Sequence, residues 1–211
     1  MQRLPKMKIS AILLAGGQSK RMGKDKAFLR LGKKAFIRII AEKLSTYCNQ
    51  IVVSGNKEGE LYLSHLKEID AEISFIKDKN PYAGPLNGII SCREYIKHEL
   101  VFIATCDTPF LNQELIPFFY RKINSYDAVI PVVSGKLQFL NTLYTQKSIE
   151  IGESIYEKNV RSLYKWVENL NIKKIEEREI KKIDKDALTY WSINTPEDYE
   201  RIKYLWRKKG G

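Results

Sequence analysis

The chain has 211 residues, 44% of them hydrophobic and 29% charged, which is typical of a folded globular protein and excludes a disordered one. No apolar run reaches the ~18 residues of a membrane-spanning helix, and three cysteines without a CxxC pair favour neither a disulfide framework nor a zinc site, so we expect a cytoplasmic protein. The net charge of +11 is spread over scattered lysines, and without a nucleic-acid-binding motif it predicts no nucleic-acid partner and no membrane partner.

Up to about residue 133, short apolar runs alternate with longer amphipathic segments. The apolar runs predict strands at residues 9–15, 51–53, 73–76, 100–105 and 128–133, and we expect those at 9–15 and 100–105 to be buried. Apolar residues at helical spacing predict helices at residues 36–47 and 86–96, and a third helix that runs to residue 123 with Asn112 as its N-cap. This alternation predicts a three-layer α/β/α fold, in which helices cover both faces of a mostly parallel, Rossmann-like nucleotide-binding sheet.

The pattern is less regular after about residue 134. We predict a strand at residues 139–144, a helix at 148–159 and a short strand at 189–193. A last helix begins at Pro196, with Thr195 as its cap, and runs to about residue 206. Because no linker, repeat or low-complexity segment interrupts the chain, we expect a single domain of residues 1–211.

A glycine-rich loop that also carries several cations follows the first predicted strand. Its glycines are Gly16, Gly17 and Gly23, and its cations are Arg21, Lys24 and Lys26. Glycines allow tight turns whose backbone N–H groups bind phosphate oxygens, and the cations suit a triphosphate. The loop is not a Walker A motif, because five residues rather than four separate Gly17 from Gly23. It therefore predicts a phosphate site of a different class.

Three further polar positions are expected to lie at the same edge of the sheet as this loop. Asp107 follows the strand at residues 100–105, where a carboxylate would hold Mg²⁺ against substrate phosphates. The alternative, a turn aspartate, is less favoured beside such a loop. Asp78 would accept hydrogen bonds from a base or ribose, although residues 78–86 also suit a plain connection between a strand and a helix. Asn194, just before the last helix, is placed to reach a metal or a phosphate.

Together these segments resemble the molybdenum cofactor guanylyltransferase (MobA-type) family. The opening signature of that family, Leu-Ala-Gly-Gly-x-Ser-x-Arg-Met-Gly-x-Asp-Lys, matches residues 14–26 at every specified position. Its Gly-Pro-Leu-x-Gly-Ile, Cys-Asp-x-Pro-Phe and Asn-Thr-Pro-Glu-Asp segments match residues 84–89, 106–110 and 194–198. The resemblance implies a nucleotide-diphospho-sugar transferase-like fold, with a nucleotide-binding half at about residues 8–133 and an acceptor-binding half at about 134–207.

The resemblance also implies transfer of GMP from MgGTP to the terminal phosphate of the molybdenum–molybdopterin cofactor, with release of pyrophosphate. Molybdoenzymes or their chaperones would be further partners, and the protein would be a monomer or a weak homo-oligomer. The implied nucleotide-binding residues are Leu14, Ala15, Gly16, Gly17, Lys26, Asp78, Gly84 and Asp107. Of these residues, Asp78 would bind the guanosine. Lys26 and Asp107 would be catalytic, together with Arg21. Asp107 and Asn194 would hold the Mg²⁺ ion.

The chain departs from the family pattern at three positions. Ser54 stands where the family often has asparagine, Phe139 where it has proline, and Ser192 where it has the first asparagine of an Asn-x-Asn segment. These positions concern base and acceptor recognition rather than the reaction class. A cytidylyltransferase or sugar-phosphate nucleotidyltransferase on the same fold is therefore one alternative, and a non-catalytic GTP- or cofactor-binding protein is another.

Overall fold

A computed structural model of the protein describes residues 6–18 and 22–208. Arg21, one of the predicted catalytic residues, lies outside the described residues, and its role stays a prediction. The strands in these ranges are β1 (Met7–Leu14), β2 (Arg30–Leu31), β3 (Lys34–Ala35), β4 (Cys48–Gly55), β5 (Glu72–Lys77), β6 (Leu100–Thr105), β7 (Ala128–Val133), β8 (Lys136–Leu137), β9 (Thr142–Thr145) and β10 (Ile172–Ile175). The α-helices are α1 (Phe36–Ser45), α2 (Gly59–Leu63), α3 (Pro85–Ser91), α4 (Leu115–Ile123), α5 (Gln146–Glu157), α6 (Leu163–Val167), α7 (Glu177–Lys181) and α8 (Pro196–Lys208). Short 3-10 turns cover Lys26–Phe28, Arg93–Tyr95 and Leu188–Tyr190.

Eight of the described strands form one mostly parallel sheet, as the sequence predicts. Its order is β10-β7-β9-β6-β1-β4-β5, and β8 pairs with β7 off this path. The central strand β1 runs parallel to β4 and β6, and β4 runs parallel to β5. Only β8 and β9 are antiparallel to their neighbours in this described sheet. β9 belongs to the predicted acceptor-binding half, yet it lies between β6 and β7 of the nucleotide-binding half; the division into halves stays a prediction.

Helices cover both faces of the sheet because its central strands are apolar on both sides. Successive side chains of a strand point to opposite faces. Ala11 and Leu13 of β1 therefore join the core that contains the apolar faces of α1 and α4. Ile12 and Leu14 join a second core with α3, α5 and α6. This confirms the predicted three-layer α/β/α architecture.

The loop before β9 differs from the predicted strand at residues 139–144, because β9 begins only at Thr142. Asn141 has a left-handed backbone with a φ of 56°. Its buried side chain accepts a hydrogen bond from Thr105 N (3.3 Å) and donates to Thr108 Oγ1 (3.0 Å) and Thr189 O (2.9 Å). Asn141 thus ends the loop with a turn that a continuous strand would not allow.

Two other predicted elements are also corrected. Residues 189–193 do not form a strand, because a 3-10 turn occupies Leu188–Tyr190 and the Asp184 carboxylate accepts a hydrogen bond from Thr189 N (2.9 Å). The helix predicted to follow Asn112 begins at Leu115 instead. Asn112 instead caps the short turn that comes just before this helix, since its Oδ1 accepts a hydrogen bond from Glu114 N at 3.0 Å.

The three cysteines lie in the interior of the protein. Cys48, Cys92 and Cys106 are free and buried, and burial raises the pKa of the Cys48 thiol to about 12. Within the described part of the chain, no helix has the length and apolarity that crossing a membrane would need.

Candidate active site

A cleft of about 380 Å³ lies at the carboxyl ends of the central strands. Asp107 follows β6 and Asp78 follows β5, on opposite sides of β1 in the sheet. β1 and β4 lie between β6 and β5, so these two strands are about 14 Å apart at the usual strand spacing. The cleft therefore has room for an extended nucleotide along the edge of the sheet. Of the predicted nucleotide-binding residues, those that line the cleft are Leu14, Gly16, Gly17, Lys26, Asp78, Gly84 and Asp107.

Ala15 does not share this placement. Its side chain is only 1% exposed and belongs to the core, and its backbone N–H donates to Ser54 O at 2.8 Å. Ala15 therefore holds the end of β1 against β4, and its side chain does not face the cleft.

Lys26 joins the two predicted metal ligands at one end of the cleft. Its Nζ lies 3.2 Å from Asp107 Oδ2 and 2.8 Å from Asn194 Oδ1. The other oxygen of Asp107 accepts a hydrogen bond from Thr105 Oγ1 at 2.9 Å. The structure therefore places together three residues that are far apart in the sequence and that the sequence assigns to phosphate and metal binding.

Local sequence explains how Asn194 reaches this position. The buried Ile193 packs in the core beside α8, and its N–H donates to Asp107 O at 2.9 Å. Thr195 and Asp198 form a capping box at the start of α8, in which Thr195 Oγ1 accepts from Asp198 N (3.1 Å) and Asp198 Oδ2 accepts from Thr195 N (3.0 Å). Asp198 Oδ2 also accepts from Asn194 N (2.9 Å), and this backbone hydrogen bond lowers the pKa of Asp198.

The position of Lys26 depends on its neighbour Asp25. Asp25 Oδ1 accepts from Ala27 N at 3.0 Å and so begins the 3-10 turn that contains Lys26. Asp25 Oδ2 pairs with Lys57 Nζ at 3.0 Å, which fixes the carboxylate from the side of β4. The Asp-Lys pair of the signature thus combines a turn-forming residue with the cation that it places in the cleft.

Asp78, on the other side of β1, is a buried carboxylate with two side-chain donors. Ser54 Oγ donates to its Oδ1 at 2.5 Å, and Asn56 Nδ2 donates to its Oδ2 at 2.8 Å. Burial raises the pKa of Asp78, and these two hydrogen bonds offset part of that rise. A buried carboxylate held in this way is suited to accept hydrogen bonds from the N–H groups of a base.

Asn56 is a residue of this site that the sequence reasoning missed. The family pattern distinguishes Ser54 instead, because the family often has asparagine at that position. In the structure Ser54, near the end of β4, and Asn56, the first residue after β4, both contact Asp78. The strand period of two, continued one residue past Gly55, was the signal in the sequence that could have found Asn56.

The oxygens at the Lys26 end suit a small divalent cation. Asp107 and Asn194 both direct an oxygen at one ammonium group, so this place already attracts positive charge. Mg²⁺ prefers oxygen ligands, and it commonly uses one or two protein groups together with waters and substrate phosphates. Among the residues that the structure describes, no three His, Cys, Asp or Glu side chains cluster as a metal site. The donor set therefore fits Mg²⁺ bound together with a nucleotide rather than a closed structural metal site.

A profile of the MobA-like NTP transferase domain matches residues 11–173 of the chain. Probable molybdenum cofactor guanylyltransferase from Clostridium perfringens (strain SM101 / Type A) is 33% identical over 199 residues, which cover 93% of this chain and 96% of that relative.

Two solved structures share the fold. Molybdopterin-guanine dinucleotide biosynthesis protein A from Archaeoglobus fulgidus matches with a TM-score of 0.79 and 25% identity, over 94% of this chain and 99% of that chain. The 4-diphosphocytidyl-2C-methyl-D-erythritol synthase from Anaerococcus prevotii matches with a TM-score of 0.72 over 94% of this chain and 96% of that chain. At 16% identity the second likeness concerns the fold alone. Together the two confirm the predicted nucleotide-diphospho-sugar transferase-like fold.

Proposed function

The chain belongs to the MobA-like NTP transferase family, and we propose that it transfers GMP from GTP to the terminal phosphate of the molybdenum–molybdopterin cofactor, with release of pyrophosphate. The names of its relatives support guanylyl transfer to the molybdenum cofactor. The observation that carries the proposal is the cleft in which Lys26, Asp107 and Asn194 meet on one side of β1 while Asp78 lies on the other. Delivery of the product to molybdoenzymes or their chaperones, and a monomeric or weakly oligomeric state, stay predictions.

In this proposal the guanine lies at Asp78 and the triphosphate runs toward Lys26. Guanine presents N1–H and its 2-amino group side by side, and the two oxygens of a carboxylate accept such a pair of donors. Gly16 and Gly17 line the cleft between the two ends, where a side chain would compete with the nucleotide for space. Arg21 would add a further cation at the phosphates.

The proposed reaction requires no general base. The attacking group is a phosphate, which is mostly ionised near neutral pH because its second pKa is about 6. The protein therefore has to align the attacking oxygen with the α-phosphorus and to stabilise the charge on the leaving pyrophosphate. Lys26 would serve the second task, because its ammonium group lies in the cleft next to the oxygens of Asp107 and Asn194.

Asp107 and Asn194 are the residues that would hold Mg²⁺ together with the substrate phosphates. When bound, the ion supplies positive charge to the triphosphate. Thr105 contributes by donating to Asp107 Oδ1 at 2.9 Å, which orients the carboxylate. Asn194 is oriented in turn by the capping box of α8.

The test of the proposal is pyrophosphate release by the purified protein with Mg²⁺ and molybdenum-loaded molybdopterin, measured in parallel with GTP, CTP, ATP and UTP. We expect release with GTP alone, and only when the acceptor is present. Release with CTP instead would assign the protein to the cytidylyltransferases on the same fold. No release with any of the four nucleotides would contradict a transferase acting on this acceptor, and GTP binding without turnover would then favour a binding protein.

A further inference from the structure

We propose that Asn56 is a positioning residue that sets the preference for guanine, by fixing the Asp78 carboxylate against the loop at Gly16. This inference rests on the proposed function, since it takes Asp78 as the group that reads the base. Asn56 follows β4 directly and is half-buried, and its side chain contacts two segments of the cleft wall, the loop at Gly16 and the connection that contains Asp78 and Tyr82.

The first step is the hydrogen bonding of the Asn56 amide. Its Nδ2 donates to Gly16 O (2.6 Å) and to Asp78 Oδ2 (2.8 Å), and its Oδ1 accepts from Tyr82 N (3.3 Å). A carbonyl and a carboxylate only accept, and the Tyr82 N–H only donates, so one orientation of the amide satisfies all three partners. Both N–H groups of Asn56 are thereby used on the protein itself. Asn56 acts on a nucleotide through Asp78, not by touching it.

The second step is the close packing of this contact on the loop. A Cβ atom added at Gly16 would lie 2.5 Å from Asn56 Nδ2 and 2.7 Å from Asp78 Oδ2. The two side chains therefore lie directly against the Gly16 backbone. Gly16 and Asp78 both line the cleft. Asn56 therefore fixes the distance between the Gly16 backbone and the carboxylate that would bind the base.

The third step concerns the plane of the Asp78 carboxylate. Ser54 donates to one oxygen and Asn56 to the other, so rotation about the terminal side-chain torsion is blocked at both oxygens. Each carboxylate oxygen can accept two hydrogen bonds, so each keeps one acceptor site for the ligand. Guanine offers two neighbouring donors to such a fixed pair of acceptors. Adenine and cytosine place an acceptor beside a donor on the same edge, and one of the two contacts would then be repulsive.

The experiment compares GTP with inosine triphosphate, which lacks the 2-amino group of guanine. We would measure KM and kcat for both nucleotides, and their direct binding without acceptor, in the wild-type protein and in Asn56→Ala. In wild type we expect GTP to be preferred ~10-fold or more, the scale of one hydrogen bond to a charged group. In Asn56→Ala we expect the KM for GTP to rise ~10-fold, kcat to change less than ~3-fold, and the preference to fall to ~3-fold or less.

Two further variants keep the test decisive. Asn56→Asp has the same shape as asparagine but replaces its donors with a carboxylate that faces Asp78 and the Gly16 carbonyl, so the contact should break and the preference should be lost. Asn169→Ala removes an exposed amide that donates to Lys165 O (2.8 Å) far along the chain, and it should match wild type.

The outcomes separate this inference from the proposed function. A wild-type protein that binds CTP rather than GTP would overturn both. A wild-type protein that prefers GTP, with an unchanged preference in Asn56→Ala and Asn56→Asp, would overturn the inference alone. A lower melting temperature with the same ratio of GTP to inosine triphosphate would likewise overturn it, because it would show a merely structural role for Asn56.

Discussion

Lys26 and Asp107 are 81 positions apart in the sequence, yet Lys26 Nζ lies 3.2 Å from Asp107 Oδ2. Their side chains are only 16% and 19% exposed. An ion pair at this depth is less screened by water than a surface pair, and it holds both groups in a defined geometry. The pair therefore connects the glycine-rich loop to the end of β6 before any nucleotide binds.

The first prediction is that Lys26→Ala and Asp107→Ala each lower turnover by ~10²-fold or more, the scale of removing one preorganised charge-stabilising group. Initial rates of pyrophosphate release at saturating GTP measure this. The matched control is Lys165→Ala, which breaks an exposed pair with Glu168 (2.8 Å) and should leave turnover unchanged. A near-normal rate in either cleft variant would show that its assigned role is wrong.

A second prediction follows from the three-residue contact at this end of the cleft. The Lys26 ammonium lies on the same oxygens of Asp107 and Asn194 that would hold the metal. Without nucleotide, Lys26→Ala should therefore bind Mn²⁺ more tightly than wild type, and Asp107→Ala more weakly. The electron paramagnetic resonance signal of free Mn²⁺ measures both affinities. Equal affinity in wild type and Lys26→Ala would argue against shared oxygens.

Removal of metal with a chelator should abolish turnover in wild type, and added Mg²⁺ should restore it.

The third prediction compares the two adjacent glycines of the loop. A Cβ at Gly16 would meet Asn56 and Asp78 within 2.7 Å, whereas a Cβ at Gly17 meets nothing within 4 Å. Gly16→Ala should therefore lower the free energy of unfolding by about 1–3 kcal/mol, the usual cost of overpacking. Gly17→Ala should stay within about 0.5 kcal/mol of wild type. Urea unfolding without ligand measures both, and equal effects would show that the Asn56–Asp78 contact does not restrict Gly16.

The sequence predicted the central part of the fold because its signals there are local. The uninterrupted apolar run of β1 indicates a strand buried on both faces, and strands of this kind end at the ligand-binding edge of a parallel sheet. That rule brings the glycine-rich loop and Asp107 to one cleft without knowledge of any contact. The capping box at Thr195 is likewise local, and it predicted the start of α8 correctly.

The elements that the sequence did not predict depend on contacts between distant residues. Asn141 ends its loop through a hydrogen bond to Thr189, 48 positions away. The same region explains why residues 189–193 turn instead of extending, since Asp184 accepts from Thr189 N. Asn56 belongs to the site only because β4, β5 and the loop after β1 meet in space. Such partners leave little trace in the local pattern of a single sequence.

The last prediction concerns Asp78 and pH. Burial raises the pKa of Asp78 in the folded protein, and the hydrogen bonds from Ser54 and Asn56 only partly oppose this rise. A raised pKa means that the folded state holds the proton more tightly than the unfolded state. The contribution of Asp78 to stability is therefore fully present below its unfolded pKa, and it is lost as pH rises through the folded pKa. We expect GTP binding to have the opposite dependence, because the base donors of the proposed complex require the ionised carboxylate.

Asp78→Asn should separate these two effects. The variant has no charge to bury, so its melting temperature at pH 7 should equal or exceed that of wild type, and the difference should shrink as pH falls. Its affinity for GTP should fall ~10-fold or more, because an amide cannot offer two acceptors to guanine. The part of the loss of GTP affinity at low pH that protonation of Asp78 causes should be absent from the variant as well. Differential scanning fluorimetry measures the melting temperatures between pH 4 and 8, and GTP titrations over the same range measure the affinity. If the melting temperature of the variant, relative to wild type, were lower at pH 7 than at pH 4, the raised pKa of Asp78 would be contradicted.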